Sequence, residues 1–461
     1  MKILAILTFS LLPVGVRAQD SKTKTLPLPD DRYKADVMVV VAHPDDEGAA
    51  TAYMARVIDQ GKRVSVVFST HGDSGGNESG AEQATALGDI REIEARRALA
   101  FLGVVNVWFL DGKDTASQNV LESLGNWGHG AALERLVRLM RLTRPEVILT
   151  FLPGVFIGED HGDHQAAGVL GTEAFDVAGD PAAFPSQVAA SQGRQQPYQD
   201  NLRAWQAKKI YYFPDADNSE MFRAKGPEYS VKDISKLLKM PYWRVSFESF
   251  RAHQTQAQGF LDALKGMNDE QVEKRATADG WTDAQQLVLG KSLVGGTVTG
   301  DVFENVKTGE AIPFLPPQRA AEHPESGVSA ELAGPWSFYD QFRRAHDLTN
   351  LPHPEPPEIA VQAEGLLIVP VWLRNETGEA REITLTADLP AGWTVQSGIG
   401  SFALARKQVA AGRIEIKLPS LGAAEKNKPE PQDVTIHAQS EGTVVGTVKL
   451  RVALRKRALP E

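Results

Sequence analysis

The 461 residues contain no cysteine. That absence excludes disulfides, thiolate metal ligands, a cysteine nucleophile and a lipid-modified N-terminal cysteine. Any metal must therefore be held by His, Asp or Glu. Positive charge is also in deficit: 49 Lys and Arg against 59 Asp and Glu give a formal net charge of -10. A surface of that sign argues against nucleic acid as the main partner and against docking on an anionic membrane. Gly72–Gly80 holds several glycines but no Walker lysine and no Gly-x-Gly-x-x-Gly pattern, so a nucleotide-binding loop is excluded too.

A long membrane-spanning run is missing as well. Lys2 is followed by the mostly apolar stretch Ile3 to Val16, and Val16-Arg17-Ala18 ends in a small residue suited to cleavage. The stretch is too short for a span, and polar residues (Gln19, Asp20, Ser21, Lys22) follow at once. The expectation is a signal peptide over residues 1–18, export to a bacterial periplasm or medium, and no stable membrane insertion.

What remains is ordinary globular material, 42% hydrophobic and 23% charged, enough for full cores in two or three domains. Buried strands are expected at Val37–Val41, Arg63–Ser69, Val105–Leu110, Val147–Phe151 and Lys209–Phe213. Ala49–Gln60, Leu87–Leu102 and Ala131–Leu142 carry apolar residues at helical spacing. Such alternation predicts an α/β fold, a Rossmann-like, mostly parallel sheet with helices on both faces, and chemistry at the carboxyl ends of its strands. Helical pieces at Ser249–Met267 and Asp269–Arg275 cannot be ordered and are assigned to the same domain, residues 19–350. A Pro-rich linker at 351–357 then separates a C-terminal domain, 358–461, whose apolar period changes to two, as in an antiparallel β-sandwich.

Two segments carry chemistry. Val39–Val41 leads into Ala42-His43-Pro44-Asp45-Asp46-Glu47, one imidazole and three carboxylates within five residues. Like charges buried together need a cation, and zinc accepts these ligand types. The bland alternative is an acidic helix start, with Asp45 or Asp46 as the cap. The second segment, His161-Gly162-Asp163-His164, follows the fourth expected strand and places two more imidazoles and a carboxylate at the same sheet edge.

Together these segments resemble the PIG-L/LmbE-like family of zinc-dependent N-acetylglucosaminyl deacetylases and related amide hydrolases. Thr70–Gly76, Arg91-Glu92-Ile93-Glu94 and His253-Gln254-Thr255-Gln256 add to the resemblance, which spans residues 36–260. Asp73 stands where the family more often has Glu, and Thr255 where it has Ser. The resemblance implies His43, Asp46 and His164 as zinc ligands and Asp45 as general base. It further implies a protonated His161 that stabilises the tetrahedral intermediate and is oriented by Asp163. Arg91, otherwise a surface partner of Glu94 at i,i+3, would point into the site beside Glu47 or a substrate oxygen, so both are candidate substrate-binding residues. The implied activity is removal of an acetyl group from an N-acetylated sugar or glycoconjugate. A non-sugar N-acyl amine is an alternative substrate. A carbohydrate-binding protein with a vestigial metal site is an alternative from another class. Glycan contact by the sandwich is expected on either sugar reading.

Overall fold

Runs rich in β-branched residues form the inner strands β1 (Val37–Val41), β2 (Val64–Thr70) and β4 (Val147–Phe151), every residue of which is buried, and β3 (Asn106–Gly112) forms an edge. The computed structural model describes residues 31–158, 161–189, 200–216, 219–318, 327–421 and 430–456. The expected signal peptide lies outside them. Between the strands run α1 (Gly48–Asp59), α2 (Thr85–Phe101), α3 (Val120–Asn126), α4 (His129–Thr143) and α5 (Gly162–Val177). A short α6 (Pro185–Val188) precedes β5 (Lys209–Phe213). Beyond it come β6 (Glu228–Tyr229), α7 (Tyr242–Phe250), α8 (Gln254–Leu264), α9 (Asp269–Ala278), β7 (Gln285–Gln286) and β8 (Val288–Ser292).

The main sheet has the order β3-β2-β1-β4-β5-β8, parallel except for β8, which runs antiparallel along β5. Helix α7 packs on both α1 and α2, and α3, α4 and α5 form a second group. Strand order reverses between β1 and β4. The crevice above that switch point is where sheets of this type place a ligand. It receives the turn after β1 and the loop after β4.

Helix α5 approaches β4 so closely that a Cβ at Gly168 would lie 2.3 Å from the Phe151 carbonyl oxygen. Gly168→Ala is expected to destabilise the domain by about 1–3 kcal/mol, read as a lower Tm. An unchanged Tm would show that the helix can retreat.

The single helical stretch expected over Ser249–Met267 is in fact two. Helix α7 ends at Phe250 and α8 starts at Gln254. The intervening elbow carries His253, 1% exposed, which reaches Glu47 at the sheet edge. A continuous helix would not bring that ring inward.

The C-terminal unit contains β9 (Val328–Leu332), α10 (Pro335–Ala345), β10 (Glu358–Gln362), β11 (Leu366–Asn375), β12 (Arg381–Asp388), β13 (Thr394–Ser397), β14 (Gly400–Leu404), β15 (Gln408–Lys417), β16 (Gln432–Ser440) and β17 (Thr443–Arg455). Sheets β10-β17-β16-β12-β14 and β13-β15-β11-β9 share one core, with Val369, Val371 and Ile416 from one sheet and Ile383, Ile436 and Leu450 from the other. Pairing is antiparallel except between β10 and β17. The boundary expected at 351–357 needs correction. Strand β9 lies ahead of it yet is hydrogen-bonded to β11 from Val328↔Asn375 to Leu332↔Val371. The proline cluster marks a turn, whereas backbone pairing decides which sheet a strand belongs to.

Candidate active site

The β1 strand ends in a turn whose carboxylates do not cap the next helix. Helix α1 has no side-chain cap bond. Asp46 Oδ2 instead accepts from the backbone N–H of Ala42 (3.1 Å) and His43 (2.6 Å). Its Oδ1 faces His164 Nε2 at 3.1 Å, and Oδ2 lies 3.4 Å from His43 Nδ1. Burial alone would raise the Asp46 carboxyl, but His164 and His43 outweigh it and hold the group well below the ordinary carboxylate range. The His164 ring lies flat on Phe151, centroids 4.2 Å apart, and its Nδ1 is 3.6 Å from Asp215.

Asp45 takes a backbone conformation that side chains rarely adopt, φ 113°. A residue held there costs roughly 1–3 kcal/mol, and such outliers cluster at functional sites. Its N–H donates to Glu47 Oε2 at 2.9 Å. Burial, with added repulsion from Asp46 and Glu47, pushes the Asp45 carboxyl up to about 7.

His161 is the N-cap of α5, and its Nδ1 accepts the N–H of Asp163 at 3.2 Å. That bond places the ring proton of the neutral imidazole on Nε2. Burial, together with the neighbouring His43 and His164, lowers the ring's pKa to about 4. With Nδ1 accepting, this geometry accommodates a neutral ring, whereas the resemblance implies a protonated one. The Asp163 carboxylate also differs from expectation. Oδ2 accepts the Thr115 N–H at 2.9 Å and lies 3.4 Å from His43 Nε2, so it is the backbone of Asp163 that orients His161. Oδ1 is buried with no hydrogen-bond partner among the described residues.

Two sets of donor atoms lie within 4.8 Å of one another: His43, Asp46 and His164, and His43, His161 and Asp163. In the second set, His161 Nδ1 and Asp163 Oδ2 already accept backbone N–H groups. In the first, Asp46 Oδ1 and His164 Nε2 face one another. The first set is thus the better fit to a divalent metal with nitrogen and oxygen ligands. Surplus buried carboxylates around it favour a cation there.

Residues 38–175 match the family described as PIG-L: GlcNAc-PI de-N-acetylase. A 1D-myo-inositol 2-acetamido-2-deoxy-alpha-D-glucopyranoside deacetylase 1 of Frankia alni is 31% identical over 278 residues, covering 51% of this chain and 90% of the relative. The chain belongs to the PIG-L family. A deacetylase of the same name, less the numeral, from Geodermatophilus obscurus is 27% identical, over 54% of this chain and 95% of the relative. Among solved structures, the N,N'-diacetylchitobiose deacetylase of Pyrococcus horikoshii is 17% identical, over 61% of this chain and 91% of that one, with a TM-score of 0.38.

In this PIG-L member, the two residues expected to bind substrate are occupied otherwise. Glu47 is buried, with Oε2 held by the Asp45 N–H and Oε1 2.6 Å from His253 Nε2. It positions the turn from behind. Arg91 donates to the carbonyl oxygens of Gly72 and, at 2.7 Å, Gly76, clamping the loop after β2. A Cβ at Gly72 would meet that guanidinium, and its φ of +67° also favours glycine. Glu94, the expected surface partner of Arg91, is buried and accepts from the Thr255 N–H (3.0 Å) and hydroxyl (2.6 Å).

Asp114 was not singled out in the sequence. Its Oδ1 lies 3.2 Å from His43 Nε2, and Oδ2 accepts the Ser74 N–H at 2.8 Å. Burial would raise this carboxyl, but His43 and Ser74 hold it well below the usual range. No motif marks it. The available signal was its place, two residues beyond β3 at the same sheet edge.

Because Glu47 ties Asp45 to His253, Glu47→Gln is expected to lower kcat by about tenfold to a hundredfold through misplacement of Asp45. Metal content and KM should change little. Steady-state kinetics with elemental analysis checks this, and a KM effect alone would mean that Glu47 meets substrate after all.

Proposed function

We propose that the chain is an exported, zinc-dependent N-deacetylase of N-acetylglucosamine-containing substrates. The observation that carries the reading is the ligand set His43, Asp46 and His164, with donor atoms within 4.8 Å and Asp45 beside it in a strained conformation. Relatives named as deacetylases of a 2-acetamido-2-deoxyglucopyranoside support the substrate class.

His43, Asp46 and His164 would hold the zinc, which would supply Lewis-acid chemistry toward the acetamide carbonyl and water. Asp45 takes a proton as water oxygen bonds to the acyl carbon. His161, its Nε2–H directed by the Asp163 backbone bond, donates to the carbonyl oxygen as negative charge develops there. The C–N bond then breaks, and the proton collected by Asp45 passes to the departing amine. Acetate and a free amino sugar result. Asp163 and Asp114 hold the His43 ring from its Nε2 side.

Amine release from N-acetylglucosamine, its α-glycosides and its β-linked oligomers, set against N-acetyl amino acids, tests the substrate class. Sugar amides are expected to give the highest kcat/KM. Release confined to the amino acid amides would replace the sugar with another N-acyl amine. No release from either would favour a vestigial site.

Export rests on Lys2, the apolar Ile3–Val16 run and Ala18. The mature protein is expected to start at Gln19 in the periplasmic or culture fraction. Retention of Met1 there would contradict cleavage.

A further inference from the structure

About half of this chain lies outside its match to the Frankia alni and Geodermatophilus obscurus deacetylases, which cover 51% and 54% of it and are themselves covered to 90% and 95%. The additional residues are not simply appended. Ala360 of β10 and Ala453 of β17 close on Ile157, and the three form a small buried apolar cluster. Ile157 belongs to the loop after β4 and stands four residues before His161. The Gln118 side-chain amide donates to the Ala360 carbonyl at 3.1 Å. Gln118 lies in the loop that holds the Asp163 carboxylate through Thr115 N–H and the Gly162 N–H through the Ser117 carbonyl. A third contact comes from α10, where the buried Tyr339 hydroxyl is 2.9 Å from Gln165 Oε1, next in sequence to His164. Helix α10 is itself anchored in both cores: Tyr339 and Phe342 pack in the catalytic one, and Trp336 packs against the sandwich.

We infer that the C-terminal sandwich with α10 is a brace for the catalytic loops, and that Tyr339, Gln118 and the Ala360–Ala453–Ile157 contact are positioning residues for His161, Asp163 and His164. Loops carry few backbone hydrogen bonds of their own, so their opening is governed by the side-chain contacts that hold them down. Here the contacts come from the added residues, on both loops that converge on the histidine pair. This face of the sandwich is apolar and buried, and it is therefore not a surface on which a glycan can lie.

The test uses the full chain. Tyr339→Phe combined with Gln118→Leu removes a hydrogen bond at the first turn of α5 and one at the loop after β3 while keeping the side-chain volumes close. Ala453→Leu overfills the apolar contact. Amide hydrogen exchange is followed over 153–158 and 161–165, together with kcat, KM and the melting of the folded chain. The brace predicts exchange faster by about tenfold in these segments, with β1 and the sandwich strands unchanged. It also predicts a fall in kcat with little change in KM. Unchanged exchange and unchanged kcat in both folded variants would overturn it. If Ala453→Leu fails to fold, the double variant decides alone. The exchange readout is independent of substrate identity, so a failure of the proposed deacetylase activity remains distinguishable from a failure of the brace.

Discussion

Asp45→Asn is expected to lower kcat by about a hundredfold to ten-thousandfold with bound zinc undiminished. Asp45 lies outside the favoured ligand set, so metal binding should survive. The substitution is also gentle on the backbone. The residue sits at φ 113°, and Asn tolerates positive φ better than most residues. The N–H that Glu47 accepts is kept. What is lost is the ability to take a proton from water, because an amide is not a base at neutral pH. The change also removes one carboxylate from a crowded buried group, so the melting temperature should hold or rise. A rate within a few-fold of the parent would assign the base elsewhere.

His164→Ala is expected to abolish activity by a different route, through loss of metal. Its Nε2 faces Asp46 Oδ1 at 3.1 Å, and stacking on Phe151 fixes the ring. Removing a partner that merely supports a ligand commonly weakens metal binding by about 10- to 100-fold, so loss of a ligand should exceed that. Zinc content after dialysis is the readout. His129→Ala serves as the control. That ring is 2.5 Å from Glu173 on α5, away from the ligand set. Its loss should leave metal content and turnover in place. Equal zinc retention in both variants would remove His164 from the ligand set.

Much of the fold was legible because local pattern and burial agree. The expected strands Val37–Val41, Val147–Phe151 and Lys209–Phe213 coincide with β1, β4 and β5. Within the site, the turn at His43–Glu47 and the segment His161–His164 meet at the switch point, as their places after β1 and β4 imply. What the pattern does not convey is what each side chain touches. Asp163 was matched to His161, yet its carboxylate goes to Thr115 and His43, because the N-cap geometry of α5 gives His161 a backbone donor instead. Glu47 and Arg91, expected at the substrate, are hydrogen-bonded to an elbow over 200 residues beyond Glu47 and to a glycine loop.

Residues 214–350 resisted ordering for a related reason. Their hydrogen bonds are long-range: Asp59 accepts from the N–H groups of Lys236 and Leu237, and the Tyr229 hydroxyl donates to Asp301 at 3.2 Å. Strand β9 pairs across the proline cluster. Periodicity reports which face of an element is apolar. It does not report which distant element covers that face.

The central claim, a metal held by His43, Asp46 and His164 that is needed for amide hydrolysis, is tested most directly by zinc titration. The chelated, refolding-competent chain is supplied with zinc in steps while amine release from an N-acetylglucosamine substrate is followed. The account predicts negligible activity without metal and a linear rise that breaks at one zinc per chain. Full activity in the chelated protein, or a rise with no break near one equivalent, would contradict it.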